Sequence, residues 1–162
     1  MVGSLRKIKK LETLSKKLKF LKNYSSQKII YISTADVTNN LKNKSKYVQN
    51  KITIEKLIKK NFNNYLIIRI PQIIGKSNNK KTLINFFYNM IKYNKKIKLF
   101  EGVFRNILDI DDMVKMIRVI ILNKKIKKKV ITLSNKYSLK PIQIIQFLEI
   151  KLGKKANYQL LK

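Results

Sequence analysis

Two short, largely apolar segments constrain the fold of this chain more than any other feature. The first runs from Lys28 to Ser33 and the second from Leu66 to Ile70. Apolar runs of this length, without polar alternation, are typical of strands covered on both faces in a parallel sheet. The first run ends in two hydroxyl residues, Ser33 and Thr34, and the second ends at Pro71, which cannot donate to a sheet ladder. We therefore expect Ser33 and Thr34 at the carboxyl end of a buried strand, where open α/β sheets bind ligands, although such residues also form turns and caps.

Helix-like segments alternate with strand-like segments along the chain. Apolar residues recur three or four apart, as on one face of a helix, in the segments 5–23, 45–60, 82–93, 113–123 and 142–152. Further extended segments are predicted at 96–100, 103–110 and 130–133, and loops at 35–45 and 72–81. Asp111 or Asp112 is expected to cap the helix that begins at Met113. This alternation predicts an α/β fold with a largely parallel sheet flanked by helices.

One helix carries a pair of residues suited to proton transfer. Tyr47 and Lys51 are four residues apart and therefore face the same side of the predicted helix. A lysine ammonium beside a phenol stabilises the phenolate, and a tyrosine tuned in this way can act as a general acid or base at a substrate hydroxyl. Ser33 and Thr34 can hold that hydroxyl. The same spacing also arises on solvated helix faces, so the pair does not decide the function alone.

The amino-acid composition excludes several classes of chemistry. The chain has no cysteine and no histidine, which excludes disulfides, thiolate nucleophiles, Cys/His zinc sites and imidazole acid–base catalysis. With 8 acidic residues, we expect no carboxylate-built metal site either. No apolar run approaches the roughly 18 residues of a membrane span, and the start lacks an apolar signal core. We therefore expect a cytoplasmic protein without a membrane span.

The formal net charge of +30 has two interpretations. It is typical of a protein that binds nucleic acid or another anionic surface. It also fits a compositional bias, because lysine, asparagine and isoleucine are spread through every segment and aromatic residues are not interleaved with the lysines. We favour the second interpretation and do not expect a nucleic-acid partner.

Four segments, taken together and in order, resemble the extended short-chain dehydrogenase/reductase family, the NAD-dependent nucleotide-sugar epimerases and dehydratases. The strand that ends in Ser33-Thr34 is similar to the family's strand with its catalytic Ser/Thr, and Tyr47 and Lys51 fall at its Y-x-x-x-K motif, with Glu55 at a frequent acidic position one turn on. Ile68–Gly75 is similar to the segment that passes the nicotinamide and reaches the substrate diphosphate. Arg105–Asp112 resembles R-D-y-i-H-V-x-D, whose arginine grips that diphosphate.

The resemblance implies roles for individual residues. Tyr47 would be the acid/base, Lys51 would assist it and hold the ribose of NAD or NADP, and Thr34 with Ser33 beside it would bind the reacting sugar oxygen. Further cofactor contacts would come from Ile70 and Pro71. Substrate phosphate contacts would come from Gln72 and Arg105, and no metal is implied.

The sequence also departs from the family pattern. Where the dehydratases carry Thr-Asp-Glu, this chain has Thr34-Ala35-Asp36, which disfavours 4,6-dehydration and favours an epimerase, reductase or dehydrogenase. The family begins with a strand and a Gly-rich turn that binds the dinucleotide pyrophosphate. No G-x-x-G-x-x-G occurs in these 162 residues. We therefore expect one partial NAD(P)-binding Rossmann-like domain over 1–162, lacking the first strands and the Gly-rich turn, with substrate-domain pieces around 72–112 and 134–162.

Two functional hypotheses follow. The first is a nucleotide-sugar epimerase or reductase-type oxidoreductase, serving surface polysaccharide sugar synthesis and inactive if the chain is a fragment. Its expected partners are a nucleotide-sugar substrate and either a second copy of the chain or a complementing N-terminal fragment. The alternative is a basic, non-enzymatic binding protein on a decayed version of the same fold, with nucleic acid or a scaffold partner.

Overall fold

The protein has an α/β fold in which mostly parallel strands are flanked by helices, as predicted. The computed structural model describes residues 27–39, 44–75, 79 and 82–161, so the predicted helix over 5–23 lies outside the described residues. The elements follow in the order β1 (Ile29–Thr34), a 3₁₀ helix (Ala35–Thr38), α1 (Lys46–Asn61), β2 (Tyr65–Ile70), β3 (Gln72–Ile74), α2 (Leu83–Lys92), β4 (Ile97–Phe100), β5 (Arg105–Asp109), α3 (Ile110–Leu122), β6 (Lys129–Thr132), β7 (Ser138–Leu139), α4 (Pro141–Leu152) and β8 (Tyr158–Leu161).

The chain divides into two compact units, each with its own core. The first unit comprises the described residues up to Arg69 together with Asn123–Ile131, and the second comprises those of 70–122 and 132–161. The division falls between Arg69 and Ile70, within the last two residues of β2.

The first unit is built on a three-stranded sheet with the order β1-β2-β6. Leu66, Ile67 and Ile68 of β2 are fully buried, as expected of a central strand covered on both faces. One side of the sheet packs against α1 through a cluster that includes Ile58 and Phe62. The Ser45 hydroxyl starts α1 by accepting a hydrogen bond from the amide of Val48 at 3.3 Å.

The second unit contains two small sheets and its own apolar core. Strand β5 pairs in parallel with β3 and antiparallel with β7, and β4 pairs in parallel with β8. Helices α2 and α4 pack on β4 through the buried residues Phe87, Ile91, Ile97, Leu99, Ile144, Ile145 and Leu148. Helix α4 begins with Pro141 at its first turn and ends at Gly153, whose φ of 59° is readily adopted by glycine.

The structure corrects several sequence-based expectations, most of them because a local contact or a distant strand overrides the local pattern. The predicted loop over 35–45 begins with the 3₁₀ helix, since the Thr34 hydroxyl accepts from the amide of Asp36. The predicted loop over 72–81 begins with β3, which pairs with β5 far along the chain. Helix α3 starts at Ile110 rather than Met113, and Asp109, not Asp111 or Asp112, accepts from the amide of Asp111 at 2.8 Å. Strand β1, expected to be buried on both faces, exposes Ile30 and Ile32 on one of them. Strands β7 and β8 were not predicted at all.

Among the described residues, no helix combines the length and apolarity that crossing a membrane requires.

Candidate active site

Helix α1 brings three candidate side chains to one face in the first unit. Tyr47, Lys51 and Glu55 follow one another at intervals of four residues, so they lie one helical turn apart on the same face. A 3₁₀ helix follows β1, and α1 packs against both. The arrangement therefore sets the residues of α1 beside the end of β1, where Ser33 and Thr34 lie.

The Lys51 ammonium is held against β1 rather than released to solvent. Its Nζ donates to the carbonyl oxygen of Ile32 at 2.8 Å. It lies 4.8 Å from the centroid of the Tyr31 ring and 5.6 Å from that of the Tyr47 ring, within the range of cation–π attraction. Partial burial lowers the pKa of Lys51 because the ammonium loses water, while the negative charge of Glu55 opposes that shift.

Glu55 is a buried carboxylate that is paired with an arginine from β2. Its two oxygens accept from Nε of Arg69 at 3.0 Å and from Nη2 at 2.6 Å, the two-pronged geometry that makes such pairs strong. Burial acts to raise the pKa of Glu55, but the bonds from Arg69, the nearby Ser33 hydroxyl, and the charges of Arg69 and Lys59 outweigh it and lower the pKa. Glu55 is therefore ionised at neutral pH.

The two hydroxyl residues at the end of β1 have different surroundings. Thr34 Oγ1 accepts from the Asp36 amide at 3.3 Å and lies 3.4 Å from Asp36 Oδ2, to which it donates, so it performs the capping role that such residues often have. Ser33 is buried, and its Oγ has no partner in hydrogen-bond geometry among the described residues. The Ser33 hydroxyl nevertheless acts on Glu55, whose pKa it helps to lower.

Tyr31 belongs to this cluster and was not singled out from the sequence. Its ring is nearer to Lys51 Nζ than the Tyr47 ring is, and its buried hydroxyl has no hydrogen-bond partner among the described residues. Burial, together with the charges of Tyr47 and Glu55, raises the pKa of Tyr31 to about 12. The available signal was the strand alternation, because Tyr31 and Ser33 lie two residues apart in β1 and so share a face.

The predicted substrate residues belong to the second unit. Gln72 opens β3 and pairs in register with Ile107, while Arg105 opens β5 and pairs with Leu139. Both are half-buried, and no ion pair among the described residues involves Arg105. Their substrate contacts stay a prediction, as do the cofactor contacts of Ile70 and Pro71, which are half-buried at and after the end of β2.

The neighbour of Arg105 has a structural role that the sequence did not reveal. The Asn106 amide accepts from the backbone N–H of Asn135 at 2.8 Å and donates to the Asn135 carbonyl at 3.0 Å. The side chain of Asn135 in turn donates to the carbonyl of Ile107 at 3.2 Å. These bonds fasten the segment before β7 to β5, and therefore fix the backbone on both sides of Asn106.

No group of three or more acidic, histidine or cysteine residues in the described parts of the chain is arranged to hold a metal ion. The candidate reacting groups of the site are the Tyr47 phenol, the Lys51 ammonium and the hydroxyls of Ser33 and Thr34.

The fold of the chain is that of solved Rossmann-like enzymes, several of them named for nucleotide-sugar substrates. The chain is similar to dTDP-glucose 4,6-dehydratase from Bacillus anthracis, solved with NAD, with a TM-score of 0.71 and 18% identity over 89% of this chain and 52% of that one. It is also similar to UDP-glucuronic acid 4-epimerase from Bacillus cereus, solved with UDP-glucuronic acid and NAD, with a TM-score of 0.70 and 25% identity over 84% of this chain and 49% of that one. A third is dTDP-4-dehydrorhamnose reductase from Bacillus anthracis, solved with NADP, with a TM-score of 0.67 and 20% identity over 85% and 51% of the two chains.

These likenesses confirm, at the level of fold, the family resemblance seen in the sequence. The chain spans about half the length of the solved structures that it matches. No family model matches the sequence, and no curated protein matches it significantly.

Proposed function

We propose that this chain carries the acid–base part of a nucleotide-sugar oxidoreductase of the epimerase or reductase type. The observation that carries the proposal is the Lys51 ammonium, fixed on the Ile32 carbonyl at 2.8 Å with the Tyr47 ring 5.6 Å away on the same helix face. The Tyr47 side chain is 59% exposed, so its hydroxyl is accessible to a ligand. A fixed positive charge beside an accessible phenol is what proton exchange with a sugar hydroxyl requires.

The proposed reaction divides between the protein and a nicotinamide cofactor. NAD(P), when bound, takes up or returns a hydride at a sugar carbon. Tyr47 moves the proton of the hydroxyl on that carbon, and Lys51 stabilises the phenolate form. Ser33, whose hydroxyl is buried beside Glu55, and Thr34 are the proposed contacts to the sugar oxygen.

The residues present fit only part of the cofactor. An ammonium has three donors, and the bond to Ile32 uses one of them, which leaves two for ribose hydroxyls. The sequence contains no Gly-rich turn to receive a pyrophosphate. We therefore expect this chain alone to bind NAD(P) weakly or not at all, and micromolar NAD affinity in calorimetry would contradict that expectation.

The substrate phosphates are proposed to meet Arg105 and Gln72 in the second unit. Arg105 offers a planar fork suited to phosphate oxygens, and no ion pair among the described residues uses it. Replacing Arg105 with methionine should weaken nucleotide-sugar binding by about 10- to 100-fold, the usual worth of a charge-assisted hydrogen bond. Arg118→Met, an exposed arginine of the same unit, is the control and should have little effect.

The experiment that tests the proposal measures saturation transfer by NMR from the protein to three nucleotide sugars: UDP-glucose, UDP-glucuronic acid and dTDP-glucose. We expect transfer to the hexose protons of at least one of them, and a clear loss of that transfer in Tyr47→Phe. The matched control is Tyr93→Phe, because Tyr93 is 62% exposed and also has a lysine, Lys92, 5.7 Å from its ring centroid.

Two results would overturn the proposal. One is the absence of transfer to all three nucleotide sugars. The other is transfer that Tyr47→Phe and Tyr93→Phe reduce equally, which would show that a tyrosine beside a lysine is not selective for the sugar.

The whole enzyme's partners are also proposals. The compared structures are about twice as long as the matched region, and we propose as partners a second copy of the chain or a complementing N-terminal fragment. We further propose a cytoplasmic enzyme that supplies sugars for surface polysaccharide. Light scattering, alone and with a candidate fragment, measures the assembly directly.

A second candidate function is polyanion binding by a non-enzymatic protein. The exposed loop Lys124-Lys125-Ile126-Lys127-Lys128-Lys129 enters β6, and Lys28 Nζ at the start of β1 lies 3.4 Å from the carbonyl of Asn123, to which it donates. Nucleic-acid affinity there should fall steeply with the logarithm of salt concentration, whereas hexose contacts at Tyr47 should lose far less. Binding of single-stranded DNA that disappears when these loop lysines are replaced by serine would favour this candidate.

A further inference from the structure

Glu55 is a buried carboxylate for which the proposed proton transfer has no use. It is 3% exposed, in a chain with only 8 acidic residues against 38 basic ones. Charged side chains are seldom buried without a reason, because taking them out of water is costly. Glu55 lies one turn beyond Lys51 on the same face of α1, which indicates that its burial serves Lys51.

Two contacts fix α1 against the sheet at this point, one to each neighbouring strand. Glu55 is joined to Arg69 of β2 by hydrogen bonds of 3.0 and 2.6 Å. Lys51 is joined to the Ile32 carbonyl of β1 by a bond of 2.8 Å. Because the residues are one turn apart, the Glu55–Arg69 contact holds the part of α1 from which Lys51 reaches that carbonyl.

The groups that surround the Lys51 ammonium come from β1 and from α1 itself. The ammonium faces Tyr31 from β1 and Tyr47 from its own helix, and Glu55 is the carboxylate whose charge acts on it. Asp36, on the 3₁₀ helix that packs against α1, is occupied by Thr34 and by the Asn39 amide at 3.1 Å. Arg69 and Lys59 act on Glu55 from the other side.

We propose that Glu55 is the positioning residue for Lys51: fixed by Arg69, it holds α1 against the sheet where Lys51 reaches the Ile32 carbonyl, and it places a negative charge one turn from the ammonium. The inference rests on the proposed function for its purpose, since Lys51 matters to catalysis only if Tyr47 does. The positioning itself can be measured without any substrate.

The test follows the Lys51 side chain by NMR titration in carbon-13-labelled protein. Its signals are those that disappear in Lys51→Arg, and the two tyrosine rings should separate them from the other lysines. In Glu55→Gln we expect the pKa of Lys51 to fall by about one unit, because an opposite charge has been removed. In Arg69→Met we expect it to rise, because the Glu55 charge is no longer balanced by an arginine.

The two substitutions are expected to shift the pKa of Lys51 in opposite directions, and this distinguishes an effect of the Glu55 charge from a loss of structural support for α1. Both substitutions break the same contact between α1 and β2, so a merely structural role predicts shifts in the same direction. If only one variant folds, the direction of its Lys51 pKa shift still tests the proposal. An unchanged pKa, or a shift opposite to that expected, overturns it. Glu149→Gln, which removes a half-buried carboxylate paired with Lys155 in the second unit, should leave Lys51 unchanged.

Failure of this proposal is distinguishable from failure of the proposed function. If Glu55→Gln lowers the pKa of Lys51 while Tyr47→Phe leaves hexose saturation transfer intact, the positioning inference stands and the sugar chemistry is wrong. If Glu55→Gln leaves the pKa of Lys51 unchanged while Tyr47→Phe abolishes hexose saturation transfer, the sugar chemistry stands and Glu55 has no part in it.

Discussion

The Glu55–Arg69 pair gives the sharpest stability prediction, through the substitution Arg69→Met. The side chains of Arg69 and Glu55 are 19% and 5% exposed, so removing the arginine leaves a carboxylate buried without its partner. Breaking such a pair typically costs 3 to 5 kcal/mol. Because Arg69 is partly exposed, water can reach part of the site, and we expect a loss of about 3 kcal/mol at pH 7.

The loss should depend on pH in a defined direction. The pKa of Glu55 is lowered in the folded protein from its ordinary value of 4.5, so the pair's contribution is present above that value and is lost as pH falls through the folded-state pKa. In Arg69→Met, burial without a partner raises the pKa of Glu55 instead. The difference in unfolding free energy between parent and variant should therefore be larger at pH 7 than near pH 4, and should shrink further as pH falls through the folded-state pKa of Glu55.

The assay is urea unfolding followed by circular dichroism, since the chain has no tryptophan. Lys155→Met is the control, because Lys155 is 92% exposed and its nitrogen is 3.5 Å from Glu149, and exposed pairs contribute little. A loss in Arg69→Met that equals the control, or one that is the same at both pH values, would refute the reasoning from burial.

Three further predictions concern the packing, loop anchoring and alkaline stability of the protein. A Cβ at Gly75 would lie 2.5 Å from Cγ2 of Ile110, so Gly75→Ala should lower unfolding free energy by about 1 to 3 kcal/mol; unchanged urea stability would show that the two segments separate easily. Asn106→Ala removes the acceptor of the Asn135 amide and should speed hydrogen exchange there by about tenfold, an effect absent at Ala156, whose amide is bound to Glu149 instead. The pKa of Tyr31 is raised to about 12 from 10.0, so between those values the unfolded chain loses a proton that the folded one keeps, and stability falls; Tyr31→Phe should therefore lose less stability than the parent over that range, and identical profiles would contradict the burial of this phenol.

Much of the fold could be predicted because its strongest signals are local. The run before Ser33 and the run before Pro71 became β1 and β2, and the helix with Ser45 at its start became α1, within one or two residues. Such segments carry their own apolar pattern and their own caps. The α/β class followed from their alternation.

What was missed depends on contacts between distant residues. Strand β3 is only three residues long and exists because Ile107 and its neighbours pair with it. Strand β8 pairs with β4, nearly sixty residues earlier, and no local pattern records such a partner. The start of α3 was placed three residues late because Asp109, rather than Asp111 or Asp112, bonds to the first turn.

The candidate site was predictable where it follows helix periodicity and unpredictable where it depends on burial. The spacing of Tyr47 and Lys51 is visible in the sequence, and so is Glu55 one turn on. That Glu55 is paired with Arg69, that Tyr31 is nearer to Lys51 Nζ than Tyr47 is, and that Thr34 is occupied by Asp36 all depend on how β1, β2 and α1 pack. The substrate roles of Gln72 and Arg105 stay predictions from the family resemblance.

The most direct test of the central claim is an intermolecular nuclear Overhauser measurement between carbon-13-labelled tyrosine rings and a bound nucleotide sugar. The Tyr47 ring signals are those that vanish in Tyr47→Phe, and the sugar is whichever of the three gives saturation transfer. The account predicts contacts from the Tyr47 ring to the hexose protons. Contacts from that ring to the base alone, or no contact at Tyr47 while the complex forms, would contradict it.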